Sequence, residues 1–559
     1  MTPSRAASGI DAQQTPEQIA EALEEFLAAH ERAVVAEDGR GLFDLSSAKY
    51  SITTEHGRCT LQLWDDARNI VRRVSAATPR GAGNAASLRL TVHRFGQSRP
   101  ASLDILADQG RHTPSTRDAI RRRYLKVLER AALRAAGQEE WGGWKIDGLR
   151  AAMDLEKSFG PAYARGSLVN GQQAWAMIGA NGQESQATID GILTIGVLWL
   201  AHCRENAGGR RLYRGLRIIV PRGMAVLTAS RLAWMNFDAA QWELWELDER
   251  TEELTRRDAA DHGNLATRLL HAPDVTATRE GFADAAARMM ALVPEPAREM
   301  VEQRVRSAAE MAFLLHGLEF ARVRIGYTGQ SFNRLQEITF GSGANETPLT
   351  EENADALRNL VTRLCDRRRP FGIGENGGRG EGAKRAIADP LYRMQPERWL
   401  ESVLRRDVSV IDQHLDAKHV YTQVAAFAAS DRGMLDLLSV DRDGRLAVIE
   451  LKADDDLHLA LQGLDYWIRV RWHHMQTADA SGSPAFGLGE FQRHGYFPGV
   501  RLSPAAPKLY LVAPALRIHP ATETVLRYLS PRVDWELIAL NERWREEVKV
   551  VWRKKNEAK

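Results

Sequence analysis

A multidomain α/β protein is predicted from three observations. The chain has 559 residues, too many for one hydrophobic core. Its hydrophobic share of 44% and charged share of 26% are those of an ordinary globular protein. Beyond about residue 150 strand-like and helix-like runs alternate, and one strand–helix–strand unit occurs twice. "LRIIVP" ends at Pro221 and "WELWELDER" begins at Trp242; "LYLVAP" ends at Pro514 and "WELIALNER" begins at Trp535, an interval of 21 residues each time. Helix-like segments, "TASRLAWM" and "TETVLRYL", fill both intervals. Equal spacing between similar ends predicts a duplicated unit.

The bulk numbers exclude several classes. A net charge of +2 provides no global field for a polyanion, so any nucleic-acid site must be local. Cys59, Cys203 and Cys365 form no CxxC pair, which argues against a disulfide framework or zinc knuckle and fits a reducing cytosol. The start, "MTPSRAASGIDAQQ", lacks the apolar core of a signal peptide. The longest apolar run, 191–203, is too short for a bilayer and reads as a buried helix. The expectation is a soluble, cytoplasmic protein with no membrane partner.

Taken in order, residues 16–36 have helical spacing with Thr15 as N-cap. From about 42 to 107, alternating segments split by Gly and Arg predict an antiparallel sheet. Residues 116–136 form a basic helix whose charged face reads as solvated. Then come the strand "AWAMIGA", a helix over 187–203 and the strand "LRIIVP". A helical region is expected over about 280–316, followed by "LEFARVRIGY" and the helix "EENADALRNLVTRLCDRR". "PFGIGENGGRGEGAK" holds a formal GxGxxG with no preceding strand, so it reads as a linker. The expected domains are 1–110 (helix plus β-rich), 111–275 (α/β), 276–370 (connecting helical and αβ region), 371–390 (basic Gly-rich linker) and 391–559 (α/β).

Chemistry concentrates in 396–470. "PERWLESVLRRDVSVID" is amphipathic and is followed by "VYTQVAAFAA". "GMLDLLSVDRDGRLAVIELKA" reads as a hairpin of strands 434–440 and 445–452 around "DRDG". Asp436 and Glu450 fall opposite one another in it, with Lys452 on the face of Glu450. Facing carboxylates repel unless a cation lies between them, and a hard divalent ion with oxygen ligands supplies one. Lys452 is placed to orient or deprotonate water there. The competing reading makes Glu450 and Lys452 a surface ion pair on a sheet edge. Asp454, Asp455 and Asp456 read as a polar turn at a helix N-terminus. "YWIRVRWHHM" mixes Arg469, Arg471 and Trp472, which either grip nucleic acid or form core and rim.

These residues resemble the D…(D/E)xK signature of the PD-(D/E)xK nuclease superfamily, and "QGLDY" from Gln462 to Tyr466 is similar to the QxxxY motif of its RecB-like branch. The stretch "GMLDLLSVDRDGRLAVIELK" is also close to the NucS-like branch. The resemblance covers about 395–559. It implies a C-terminal restriction-endonuclease-like α/β core beside an N-terminal β-rich domain and a central, degenerate nuclease-like α/β domain. It further implies Mg²⁺ or Mn²⁺ on Asp436, Glu450 and the Leu451 carbonyl, and Lys452 activating water. Gln462 and Tyr466 would hold the scissile strand or support the lysine, and Glu401 on the upstream helix would add an acidic group, with Glu397 in reserve. The implied activity is phosphodiester hydrolysis by a bacterial endonuclease of repair or anti-phage defence, with DNA favoured over RNA and a homodimer or protein partner left open. In the first copy Gly179–Ala180–Asn181 would replace the ExK triplet. The rival classes are a non-catalytic nucleic-acid-binding or scaffold protein and a nuclease activated by a ligand or partner.

Overall fold

The computed structural model describes residues 14–30, 33–37, 40–45, 48–55, 57–64, 69–80, 86–93, 101–107, 116–137, 143–154, 159–262, 268–327, 334–341, 346–368, 389–427, 434–475 and 489–556. The expected linker at 371–390 lies largely outside them. The chain divides into two compact units, Met1–Thr116 and Arg117–Lys559.

In the first unit, seven antiparallel strands run in the order Arg40–Asp44, Val34–Glu37, Ala101–Leu106, Ser87–His93, Asn69–Arg80, Arg58–Trp64, Lys49–Glu55. Alternating burial in Arg58–Trp64 and Ser87–His93 gives the sheet one apolar face. Helix Pro16–Ala29 covers it with Ile19, Ala20, Leu23 and Leu27. Thr15 and Gln18 form a capping box at its start. The helix ends at Ala29, not at 36: the β-branched Val34 and Val35 pair with Ile105 and Leu106 as a strand, a ladder that overrides the helical spacing.

The second unit contains the same strand path twice. Its first sheet runs Lys145–Arg150, Tyr163–Asn170, Gln173–Ala180, Leu212–Pro221, Gln241–Asp248, Glu253–Arg257. Pairing is antiparallel for the first two steps, parallel for the next two and antiparallel at the end. The sequence Tyr421–Phe427, Met434–Val440, Leu446–Leu451, Lys508–Pro514, Trp535–Leu540, Val550–Lys555 repeats that pattern, with the short strand Arg268–Leu269 added at its edge. Helices Ile192–Glu205 and Leu459–Met475 make the first parallel crossovers; Val226–Leu232 and Pro520–Arg527 make the second. All four sit in one shared core between the two sheets. The outer face of the first sheet is covered by the basic helix Thr116–Gly137, through Tyr124, Val127 and Leu128. Its arginines are not merely solvated: Arg121 pairs with Glu184, and Arg130 and Arg134 with Glu252.

Between the two copies lies a five-stranded antiparallel sheet, Val301–Ser307, Glu310–Leu315, Leu318–Tyr327, Arg334–Phe340, Thr347–Pro348. The helical expectation over 280–316 therefore holds only to Arg298. Residues 301–315 form strands because His316 (φ 46°) and Gly317 (φ 76°) supply a two-residue hairpin turn pairing Leu315 with Leu318. Helix Ala354–Arg367 packs on this sheet through Leu357, Val361 and Leu364.

Candidate metal centre

The hairpin forms as its spacing requires. In the turn, Gly444 (φ 82°) donates to the Asp441 carbonyl, and the Asp441 carboxylate accepts from the Asp443 and Arg445 amides. Leu437 then pairs with Ile449 and Leu438 with Val448, and the next step of that register sets Asp436 opposite Glu450. Every residue of Leu446–Leu451 is buried, because helices cover both faces of this strand. Glu450 is 3% exposed, so the edge-strand reading of it as a solubilising charge does not describe its surroundings.

Asp436 Oδ2 accepts from the Leu451 amide at 2.9 Å. Lys452, whose amide continues the ladder to the Val512 carbonyl, brings Nζ to 3.3 Å from Glu450, 3.7 Å from Asp456 and 3.8 Å from Glu397. Four carboxylates, those of Asp436, Glu450, Glu397 and Asp456, thus surround one ammonium. Burial pushes the Asp436 carboxyl up to about 6, against the Leu451 amide and Lys452, which favour its charged form. Burial and the Asp436 charge hold Glu450 well above the carboxylate range. Burial alone would lower the Lys452 pKa, but the surrounding carboxylates raise it, so it remains an ammonium.

Gln462 and Tyr466 lie on helix Leu459–Met475, which crosses the Glu450 strand at Gly463. A Cβ there would stand 2.4 Å from Leu511 and 3.6 Å from the Glu450 Cβ, so the crossing needs glycine. Burial and the charges of Glu450 and Asp436 raise the Tyr466 hydroxyl, which sets that ring beside the pair. Two buried acceptors, Glu450 Oε2 and Gln462 Oε1, have no hydrogen-bond donor. An oxygen-seeking cation fits that donor set: two repelling carboxylates, an unpaired amide oxygen and a surplus of negative charge. Among the described residues no three His, Cys, Asp or Glu side chains are already gathered at ligand spacing. The centre rests on the Asp436–Glu450 pair.

Four expected residues, Glu401, Arg469, Arg471 and Trp472, make other contacts. Glu401, 1% exposed, gives one oxygen to Arg304 at 2.7 Å and the other to Arg398 at 2.9 Å. Glu397, one helical turn earlier, is the group that reaches Lys452. A helix face cannot distinguish two glutamates four residues apart; Arg304, arriving from the inserted sheet, decides between them. Arg469 is 4% exposed, with its guanidinium 5.9 Å from the Tyr466 ring centre. Arg471 stacks on Trp234 at 4.7 Å and pairs with Asp261 at 3.4 Å, while Trp472 is half-buried. Asp456 accepts from the His458 amide at the helix start, as the polar-turn reading expects.

The first copy carries none of this chemistry, and its register differs by one residue from that expected. Gly179 pairs with Ile219 two residues before Pro221, as Leu451 pairs with Val512 two before Pro514. Ile178–Gly179–Ala180 is therefore the counterpart of Glu450–Leu451–Lys452. Ile178 faces Arg165, so a guanidinium occupies the Asp436 position. Arg165 is 1% exposed and donates to the Gly160 and Ala152 carbonyls at 2.8 and 2.7 Å. Gly196 matches Gly463, since a Cβ on either would meet the paired strands at Leu216 and Ile178 or at Leu511, Leu509 and Glu450.

The two copies are joined through their helices. Arg231 donates to both oxygens of Asp465, at 2.8 and 2.6 Å, and to the Asp190 carbonyl. His458 meets Thr194 at 3.0 Å, and the Trp234 and Trp467 rings pack edge to face. Arg231 and Asp465 carried no local signal in the sequence, because their partnership spans more than two hundred residues. No family model matches the chain, and no curated protein matches it. Among the described residues no helix is long and apolar enough to cross a membrane.

Proposed function

We propose that the chain is a Mg²⁺- or Mn²⁺-dependent nuclease, DNA favoured, whose chemistry belongs to the second α/β copy. The observation that carries this reading is the buried Asp436–Glu450 pair with acceptor oxygens lacking donors. Asp436 and Glu450 would hold the ion, with the Gln462 amide oxygen and the Leu451 carbonyl as further oxygen ligands. A divalent ion bound there supplies a Lewis acid for a phosphodiester. Lys452, kept protonated by Glu450, Glu397 and Asp456, donates to a phosphate oxygen or holds a water against it. Tyr466 offers a hydroxyl donor on the same side. The resemblance to PD-(D/E)xK nucleases supports the assignment, and the first copy reads as a degenerate partner because Arg165 stands in the acidic position.

Circular DNA, linear DNA and RNA incubated with Mg²⁺, Mn²⁺ or EDTA test the reading. Cleavage with either metal, absent in EDTA, is expected, and Asp436→Ala, Glu450→Ala and Lys452→Ala each lower it about a hundredfold or more. Undiminished cleavage in these variants would overturn the assignment. One observation favours an activated form of the enzyme: Arg304 and Arg405, bound through Glu302 and Glu401, tie the inserted sheet to the helix that carries Glu397. Cleavage only on addition of a small molecule or protein partner would support that version.

A further inference from the structure

The two copies have opposite electrostatic character on equivalent faces. Where the second gathers carboxylates, the first buries Arg165, and its surroundings are basic as well. Ser167 lies two residues beyond Arg165 on the same strand and hence on the same face. It forms the floor of a cleft of about 370 Å³ whose walls include Arg150, Arg210, Arg211, Asn206 and Tyr213. That volume is at the small end of ligand sites, about the size of one nucleotide.

Three guanidinium groups line the cleft against one carboxylate, Asp147, which pairs with Arg211 at 2.6 Å and is itself half exposed. Arg150 and Arg210 are exposed, and among the described residues no carboxylate pairs with either. The Arg150 charge is felt inside the fold: burial, then Arg150, lowers the Arg165 pKa to about 10. The floor is polar, with the buried Ser167 and Tyr213 hydroxyls 3.0 Å apart and the buried Cys203 thiol beside them. Two guanidinium groups with no carboxylate partner among the described residues, beside hydroxyl groups and in a pocket too small for a continuous strand, match a phosphate monoester.

We infer that this cleft of the first copy is a binding site for a phosphate monoester, carried either by a free mononucleotide or by the end of a nucleic-acid strand. The inference does not depend on the hydrolytic reading. It assigns the non-acidic copy a ligand of its own.

Calorimetric titration of the full chain in EDTA with inorganic phosphate, a nucleoside 5′-monophosphate and the parent nucleoside tests it. Phosphate and the monophosphate should bind and the nucleoside should not. Arg150→Ala together with Arg210→Ala should weaken binding about tenfold or more without changing the unfolding temperature, because each removes an exposed charged donor. A 5′-phosphorylated oligonucleotide that binds tighter than its 5′-hydroxyl twin identifies a strand end as the source; equal oligonucleotide affinity with monophosphate binding identifies the free nucleotide. No phosphate or monophosphate binding at millimolar concentration, equal affinity for the nucleoside, or affinity unchanged in the double variant would overturn the inference.

Discussion

The proposed chemistry turns on Glu450, a carboxylate buried opposite Asp436 and beside Lys452. Its neighbour Asp436 has a folded pKa of about 6, above the roughly 3.9 of an unfolded aspartate. The folded state therefore retains a proton that the unfolded chain releases. This stabilisation is complete below the unfolded value and is lost as pH rises through about 6. A divalent ion reverses the trend by favouring the charged pair. Mg²⁺ should raise the unfolding temperature at pH 8 and leave it unchanged at pH 5; at a hundred times its dissociation constant it adds about 2.7 kcal/mol. Glu450→Gln, which keeps the side-chain volume and removes the carboxylate ligand, should abolish the response to metal. Thermal melts with and without Mg²⁺ check both.

At the scale of elements, the helix that carries Gln462 and Tyr466 owes its position to Gly463. Gly463→Ala should push it off the Glu450 strand, with a loss of about 1–3 kcal/mol and weaker cation binding. The matched Gly196→Ala, which meets Leu216 at 2.8 Å, should destabilise comparably while cation binding is unchanged. Breaking the buried Arg231–Asp465 pair by Arg231→Leu should cost about 3–5 kcal/mol, read from denaturant unfolding, because Asp465 is left desolvated and unpaired. The hairpin was legible in the sequence because its determinants are local: turn residues at "DRDG" and period-2 strands around them. So was the repeated unit, through equal spacing. The strands at 34–37 and 301–315 were not, because ladder partners distant in sequence outweighed their helical spacing. The choice of Glu397 over Glu401, and the Arg165 counterpart of Asp436, likewise depended on side chains or register delivered from elsewhere in the chain.

For the molecule as a whole, the shared core makes the two copies one folding body, with residues such as Ile178, Leu200, Val448 and Trp467 in a single apolar cluster. Met1–Thr116 is a separate compact unit with its own core. Calorimetry of the full chain should therefore show two unfolding transitions, and Arg231→Leu should shift only one of them. A third transition, or one assignable to a single copy, would count against the fused core. This arrangement gives one chain two related folds, with an acidic centre in the second copy and a basic cleft in the first. The most direct test of the acidic centre is titration of Mn²⁺ into the metal-free full chain at pH 8, beside Glu450→Gln. One site, lost in the variant, is the expected result; no binding at millimolar Mn²⁺, or equal binding by the variant, would contradict it.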